Sequence, residues 1–236
     1  MNRLFCVIRM IFRRLHQFSA RRVVLVLGDS HTLVFKHDLF RLAFPLTRFE
    51  VCSVGGATVS GLENPNSKTQ ALQTFHAALE RVPTGTKTIL MLGEVDTGFV
   101  IWYRAKKYND SVECMLEQAT ANYVKFIDQV AQKCSPIVVS TPLPTIRDGE
   151  NFGEVANQRK AVTASQQERT ALTVHFNQMV EAYCEKNRVP FLNLDEVSSG
   201  RDGLVLSTLL NPDESNHHYK SLAHAQMMIP RLRKFL

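Results

Sequence analysis

The residues Val23-Val24-Leu25-Val26-Leu27 run without a polar break into Gly28-Asp29-Ser30-His31. An apolar, mostly β-branched run of this length suits a strand buried on both faces, and such strands belong to parallel sheets covered by helices. The pattern recurs along the chain. Arg48 to Val54 ends at Gly55-Gly56, and Lys87 to Leu92 ends at Gly93. Pro136 to Ser140 opens into the long loop that begins Thr141-Pro142-Leu143-Pro144, and Val189 to Leu194 reads as a fifth strand. Helical spacing of apolar residues fills the intervals Thr32 to Phe44, Ser67 to Arg81, Asp110 to Lys133, Thr163 to Asn187 and Lys220 to Phe235. Gly56 to Pro65 and Glu94 to Gly98 read as loops. The alternation predicts an α/β fold, a three-layer α/β/α sandwich around a five-stranded parallel sheet of flavodoxin-like type. We expect one such domain over 22–236, preceded by a basic arm over 1–21.

The formal charge of +6 has a local source. Arg3, Arg9, Arg13, Arg14, Arg21 and Arg22 lie at the start, and the remainder is nearly neutral. No basic stripe interleaved with aromatics marks the body, so nucleic acid is not an expected partner. The segment Met1 to Ala20 is apolar but interrupted by Arg9, Arg13 and Arg14, which breaks any secretory apolar run and prevents a membrane span. It suits a weak contact with an anionic membrane surface, a terminal helix packed on the domain, or a partly disordered arm. The five cysteines (Cys6, Cys52, Cys114, Cys134 and Cys184) show no paired or zinc-site spacing. Buried free thiols in a reducing, cytoplasmic setting, peripheral to the membrane if the arm binds it, are the expectation.

In a parallel sheet the C-terminal strand ends share one edge, where ligands bind. The first strand delivers Asp29, Ser30 and His31 there, the second Gly55 and Gly56, and the third Glu94 and Asp96. Asn211-Pro212-Asp213-Glu214-Ser215-Asn216-His217-His218 stands before the final helix. A serine on a strand-to-helix turn, a distant histidine near carboxylates and glycine turns with open N–H groups are the parts for nucleophilic acyl chemistry. Ser30 alone could be a helix cap.

The ordered set resembles the SGNH (GDSL) ester hydrolases over Val23 to Leu236. Gly28-Asp29-Ser30 matches the first block, Gly55 or Gly56 the second, Gly93-Glu94-Val95-Asp96 the third, and Asp213 to His218 the last. The resemblance implies Ser30 as nucleophile and N–H groups of Ser30 with Gly55 or Gly56 around the oxyanion. It implies His217 as base, held by Asp213 or Glu214, with His218 the alternative. Two departures stand out. Val95 occupies the place of an oxyanion-binding Asn, a loss that typically costs about 2.7–4 kcal/mol. In the family's Asp-x-x-His spacing, the residue three before His217 is Glu214, and three before His218 is Ser215.

Asp29, His31, Glu94, Asp96, Trp102 and Arg104 are candidates for substrate contact. Each has a plainer reading: a turn acceptor for Asp29, a surface or neighbouring ring for His31, loop ordering for the two carboxylates, packing for Trp102. Arg147, Asp148 and Arg159 lie in the long loop after the fourth strand. The expected substrate is a small-molecule or glycan ester, an acetyl ester of a carbohydrate by resemblance, hydrolysed without metal or organic cofactor. Acyl transfer to a carbohydrate in polysaccharide assembly and a non-catalytic ligand-binding role are the alternatives.

Overall fold

The computed structural model describes residues 21–149, 163–213 and 215–236. The five strands are β1 (Arg22–Gly28), β2 (Thr47–Ser53), β3 (Lys87–Met91), β4 (Ser135–Val139) and β5 (Phe191–Leu192). All pair in parallel, in the order β2-β1-β3-β4-β5. The expected five-stranded parallel sheet is thus present, although β5 is shorter than its apolar run.

Alternation along the strands sends side chains to two separate cores, the reason the inner strands β1, β3 and β4 are mostly apolar. Leu25, Leu27, Leu90, Leu92 and Val138 face one side, with Phe75, Tyr123, Phe126 and Phe176. Those aromatics come from α3 (Ala71–Glu80), α5 (Val112–Ala131) and α6 (Gln166–Asn187). Val24, Val26, Ile89, Met91, Ile137 and Val139 face the other side. There they meet Phe35, Phe40 and the final helix α8 (Ser221–Leu232), through Ala225, Met228 and Leu232. Two buried faces make three layers.

Three expectations need correction. The single helix over Thr32 to Phe44 is two pieces, a tight 3-10 helix Ser30–Lys36 and α1 (Asp38–Ala43). His37 leaves the helical backbone at ψ 140°, and its ring accepts a hydrogen bond from Leu39 N at 3.2 Å, capping α1. The loop after β2 contains a short helix, α2 (Val59–Leu62), capped by Thr58. The loop after β3 is helical, with a wide turn Asp96–Val100 leading into α4 (Ile101–Tyr108). Two short elements complete the chain, α7 (Asp195–Ser198) and a 3-10 turn Ser207–Leu209.

Four free thiols lie among the described residues; Cys134 and Cys184 are buried, Cys52 and Cys114 partly exposed. Burial pushes the Cys184 thiol up to about 12, which leaves it inert. No helix among the described residues is long and apolar enough to cross a membrane. The basic arm lies outside the described residues, apart from Arg21.

Candidate active site

The turn after β1 is built on a glycine that admits no side chain. A Cβ on Gly28 would lie 2.0 Å from the Met91 carbonyl oxygen and 2.6 Å from Thr32 Cγ2. Gly28→Ala is therefore expected to destabilise the fold by about 3 kcal/mol, measured as a lowered urea midpoint. Immediately after it, Asp29 caps the 3-10 helix: its Oδ1 accepts from His31 N at 2.9 Å. Its carbonyl accepts from Thr32 Oγ1 at 2.6 Å and Ser53 Oγ at 2.9 Å, tying the turn to β2. Burial raises the Asp29 carboxyl to about 6, against the pull of His31. Its contacts are those of a structural cap.

Ser30 is thereby held at the sheet edge, and its Oγ lies 2.8 Å from His218 Nε2. The other ring nitrogen, Nδ1, is 2.8 Å from Asn216 Oδ1. Asn216 Oδ1 also accepts from the backbone N–H of His218 at 3.1 Å, so two donors fix the amide with its oxygen toward the ring. An oxygen that can only accept requires the proton on Nδ1, which leaves Nε2 with a lone pair facing the serine hydroxyl. The three side chains stand in a hydrogen-bonded line, in the order a nucleophile, a base and an orienting acceptor would take.

This geometry corrects the expected triad. Ser30 is bonded to His218 and not to His217. Asp213 turns away: it accepts from Ser215 N at 3.0 Å and Ser215 Oγ at 2.6 Å, closing its own turn. Glu214 lies outside the described residues. The acceptor at the imidazole is the neutral Asn216, two residues before its histidine, a position no carboxylate pattern singles out.

The histidine loop is fastened on both sides of His218. Thr145 Oγ1 donates to the His217 carbonyl at 2.6 Å, and Leu143 N donates to Tyr219 OH at 2.7 Å. Both partners come from the loop after β4. Tyr219→Phe strands a buried N–H, expected to cost roughly 1–3 kcal/mol and to lower kcat more than it raises KM, read from urea unfolding and steady-state rates.

On the oxyanion side, Val54 N bonds to the Gly28 carbonyl at 2.9 Å, which brings the start of the Gly55-Gly56 turn beside Ser30. Gly56 has φ +70°, and no hydrogen bond among the described residues uses the N–H of Gly55 or Gly56. Asp96 secures this loop from across the sheet, accepting from Val59 N at 2.8 Å and Ser60 N at 3.0 Å. Burial raises its carboxyl to about 6. Val95 is partly exposed and offers no side-chain donor. Glu94 is buried instead, its Oε2 3.7 Å from His31 Nε2. The His31 ring lies 4.7 Å from that of His218 and 5.9 Å from that of His217, centroid to centroid.

The chain aligns with solved structures over nearly its whole length. Est24, a carbohydrate acetylesterase from Sinorhizobium meliloti, matches over 92% of this chain and 100% of its own, with TM-score 0.61 and 13% identity. The native aryl esterase of M. smegmatis matches over 91% and 100%, with TM-score 0.58 and 15% identity. A GDSL-like lipase from Bacteroides thetaiotaomicron matches over 95% of both chains, with TM-score 0.55 and 14% identity. This is the SGNH hydrolase fold. In sequence, no family model and no curated protein matches.

Within the SGNH fold of this chain, Trp102 and Arg104 stand apart from the serine and the histidines. The Trp102 indole N–H donates to the Thr97 carbonyl at 2.7 Å and its ring packs on the larger core. Arg104 lies 5.7 Å over the Tyr108 ring. No hydrogen bond, ion pair or ring contact among the described residues joins either to Ser30 or His218. In the loop after β4, Asp148 accepts from Gln166 N at 2.6 Å and faces Arg169 at 3.4 Å, so it orders the start of α6. Arg147 lines a cleft of about 550 Å³ with Gln166, Arg201 and Asp202. Arg159 lies outside the described residues.

Proposed function

We propose that this chain is a serine ester hydrolase acting on acyl esters, with an acetyl ester of a carbohydrate as the substrate class. The observation that carries the reading is the Ser30–His218–Asn216 relay, with 2.8 Å at each step. Ser30 Oγ attacks the acyl carbon while His218 Nε2 takes its proton. Asn216 Oδ1 holds the imidazole in the required tautomer throughout. The N–H groups of Ser30 and of Gly55 or Gly56 stabilise the oxyanion. His218 returns the proton to the departing alcohol, leaving an acyl group on Ser30, and then activates the water that releases it. Est24, the neighbour in fold named as a carbohydrate acetylesterase, supports the substrate class, which the fold alone does not fix.

The expected result is covalent labelling of Ser30 by a fluorophosphonate and hydrolysis of p-nitrophenyl acetate, both abolished in Ser30→Ala. A wild-type chain that neither labels nor cleaves acetyl esters would overturn the hydrolase reading. Asn216→Ala removes a hydrogen bond to a ring that becomes charged during attack. Such bonds contribute about 1.5–3 kcal/mol, so kcat is expected to fall roughly 10- to 100-fold at unchanged KM. A supplied donor works the other way: Val95→Asn is expected to raise kcat, by up to about 100-fold. A fall in kcat on that substitution, with the fold intact, would place the oxyanion elsewhere.

A further inference from the structure

His31, His217 and His218 form a cluster that the relay does not explain. One ring nitrogen from each can be chosen so that all three lie within 4.8 Å of one another. A tetrahedral ion with Zn–N bonds of 2.0–2.1 Å sets its ligand nitrogens about 3.4 Å apart. Closing the cluster onto such an ion therefore needs shifts of at most about 1.5 Å, within the reach of side-chain rotation for His217 and His218 on their partly exposed loop.

The third ring is anchored. His31 is buried in the capped turn, and the buried carboxylate of Glu94 lies 3.7 Å from its Nε2. At 3.7 Å the contact is within ion-pair but beyond hydrogen-bond length; a shift of under about 1 Å would make Glu94 the carboxylate that supports a metal-bound imidazole, with Nδ1 of His31 as the ligand atom. Three imidazoles select Zn²⁺ and its neighbours Cu²⁺, Ni²⁺ and Co²⁺ over Mg²⁺ and Ca²⁺, which prefer oxygen.

We propose that His31, His217 and His218 bind a zinc-class divalent ion, and that the bound ion takes His218 away from Ser30 and silences the hydrolase. The inhibitory half rests on the Ser30–His218 reading above; the binding half does not. An imidazole nitrogen whose lone pair is given to a metal cannot accept the serine proton. No bond is made or broken beyond this coordination, so removal of the ion restores the relay. The same device would make activity follow the free zinc level of the compartment.

The test starts from full-length chain stripped with EDTA and titrated with Co²⁺, whose visible absorption reports tetrahedral nitrogen coordination. One equivalent is expected to bind, and Zn²⁺ to displace it. Saturating Zn²⁺ should suppress both fluorophosphonate labelling and ester hydrolysis at least tenfold, with recovery on adding EDTA. His31→Gln and His217→Gln should each weaken Co²⁺ binding at least tenfold. The label that each variant still takes up should be insensitive to the Zn²⁺ concentration that saturates wild type. His217 lies on the surface loop, so its variant decides the matter if His31→Gln does not fold. Absence of Co²⁺ binding, binding unchanged in both variants, or labelling untouched or raised by saturating metal would overturn the proposal. If metal-free wild type takes no label, the hydrolase reading and the inhibitory half fall together. The Co²⁺ spectra then separately decide whether the three histidines bind metal.

Discussion

His218→Ala is expected to lower kcat by roughly 10²- to 10⁴-fold, the usual worth of a positioned general base. His217→Ala, one residue away, is expected to stay within about tenfold of wild type, a change of no more than about 1.4 kcal/mol. The contrast follows from one bond. Ser30 Oγ bonds to Nε2 of His218, and the Nδ1 of that same ring is held by Asn216. Steady-state rates on p-nitrophenyl acetate for the two variants, at one pH, provide the measurement. If His217→Ala abolishes turnover and His218→Ala does not, the base has been assigned to the wrong ring.

Acid should act against the fold at one histidine that does no chemistry. His224 on α8 is buried, with its ring 5.0 Å from that of Tyr219. Burial, together with the neighbouring His31 and His218, lowers its pKa from 6.5 to about 3. The unfolded chain takes up a proton at this residue below pH 6.5, while the folded chain resists until about pH 3. Stability contributed by the neutral ring is therefore full above pH 6.5 and is lost as pH falls through that window. Between pH 7 and pH 4 the loss amounts to about 3 kcal/mol at 1.36 kcal/mol per unit. Asp29, Asp96 and Asp195, each raised to about 6 by burial, act with the opposite sign between about pH 4 and 6. Comparing wild type with His224→Phe by urea unfolding at pH 7 and pH 4 cancels them. The variant should lose about 3 kcal/mol less than wild type over that interval, and equal losses would show that His224 does not resist protonation.

The sheet was legible in the sequence because burial on both faces leaves its mark directly, as apolar runs that in β1 and β3 end at a glycine. Ser30 was legible for a related reason: a strand-to-helix turn has few conformations, so a serine there has a defined direction. The histidine loop obeys no such period. Between His217 and His218 spacing gives no choice, since the loop's direction is set by Thr145 and Tyr219, bonded to partners more than 70 residues away in the chain. Asn216 does not stand out in the sequence because a carboxylate is the expected acceptor, whereas any oxygen acceptor can hold Nδ1–H. The apolar spacing of Thr32 to Phe44 continues across His37 and so hides the point where its ring bonds to the backbone and ends one helix to begin the next.

Ser30 and its base are 188 residues apart. On the ribosome the nucleophile emerges early, and the sheet edge that carries it can form while the C-terminal segment is still being made. A serine hydroxyl without its imidazole is an ordinary alcohol. On the proposed mechanism, then, the chain is latent until the segment carrying His218 is in place beside Ser30. A product truncated before residue 218 would carry the serine turn but no activity to misplace.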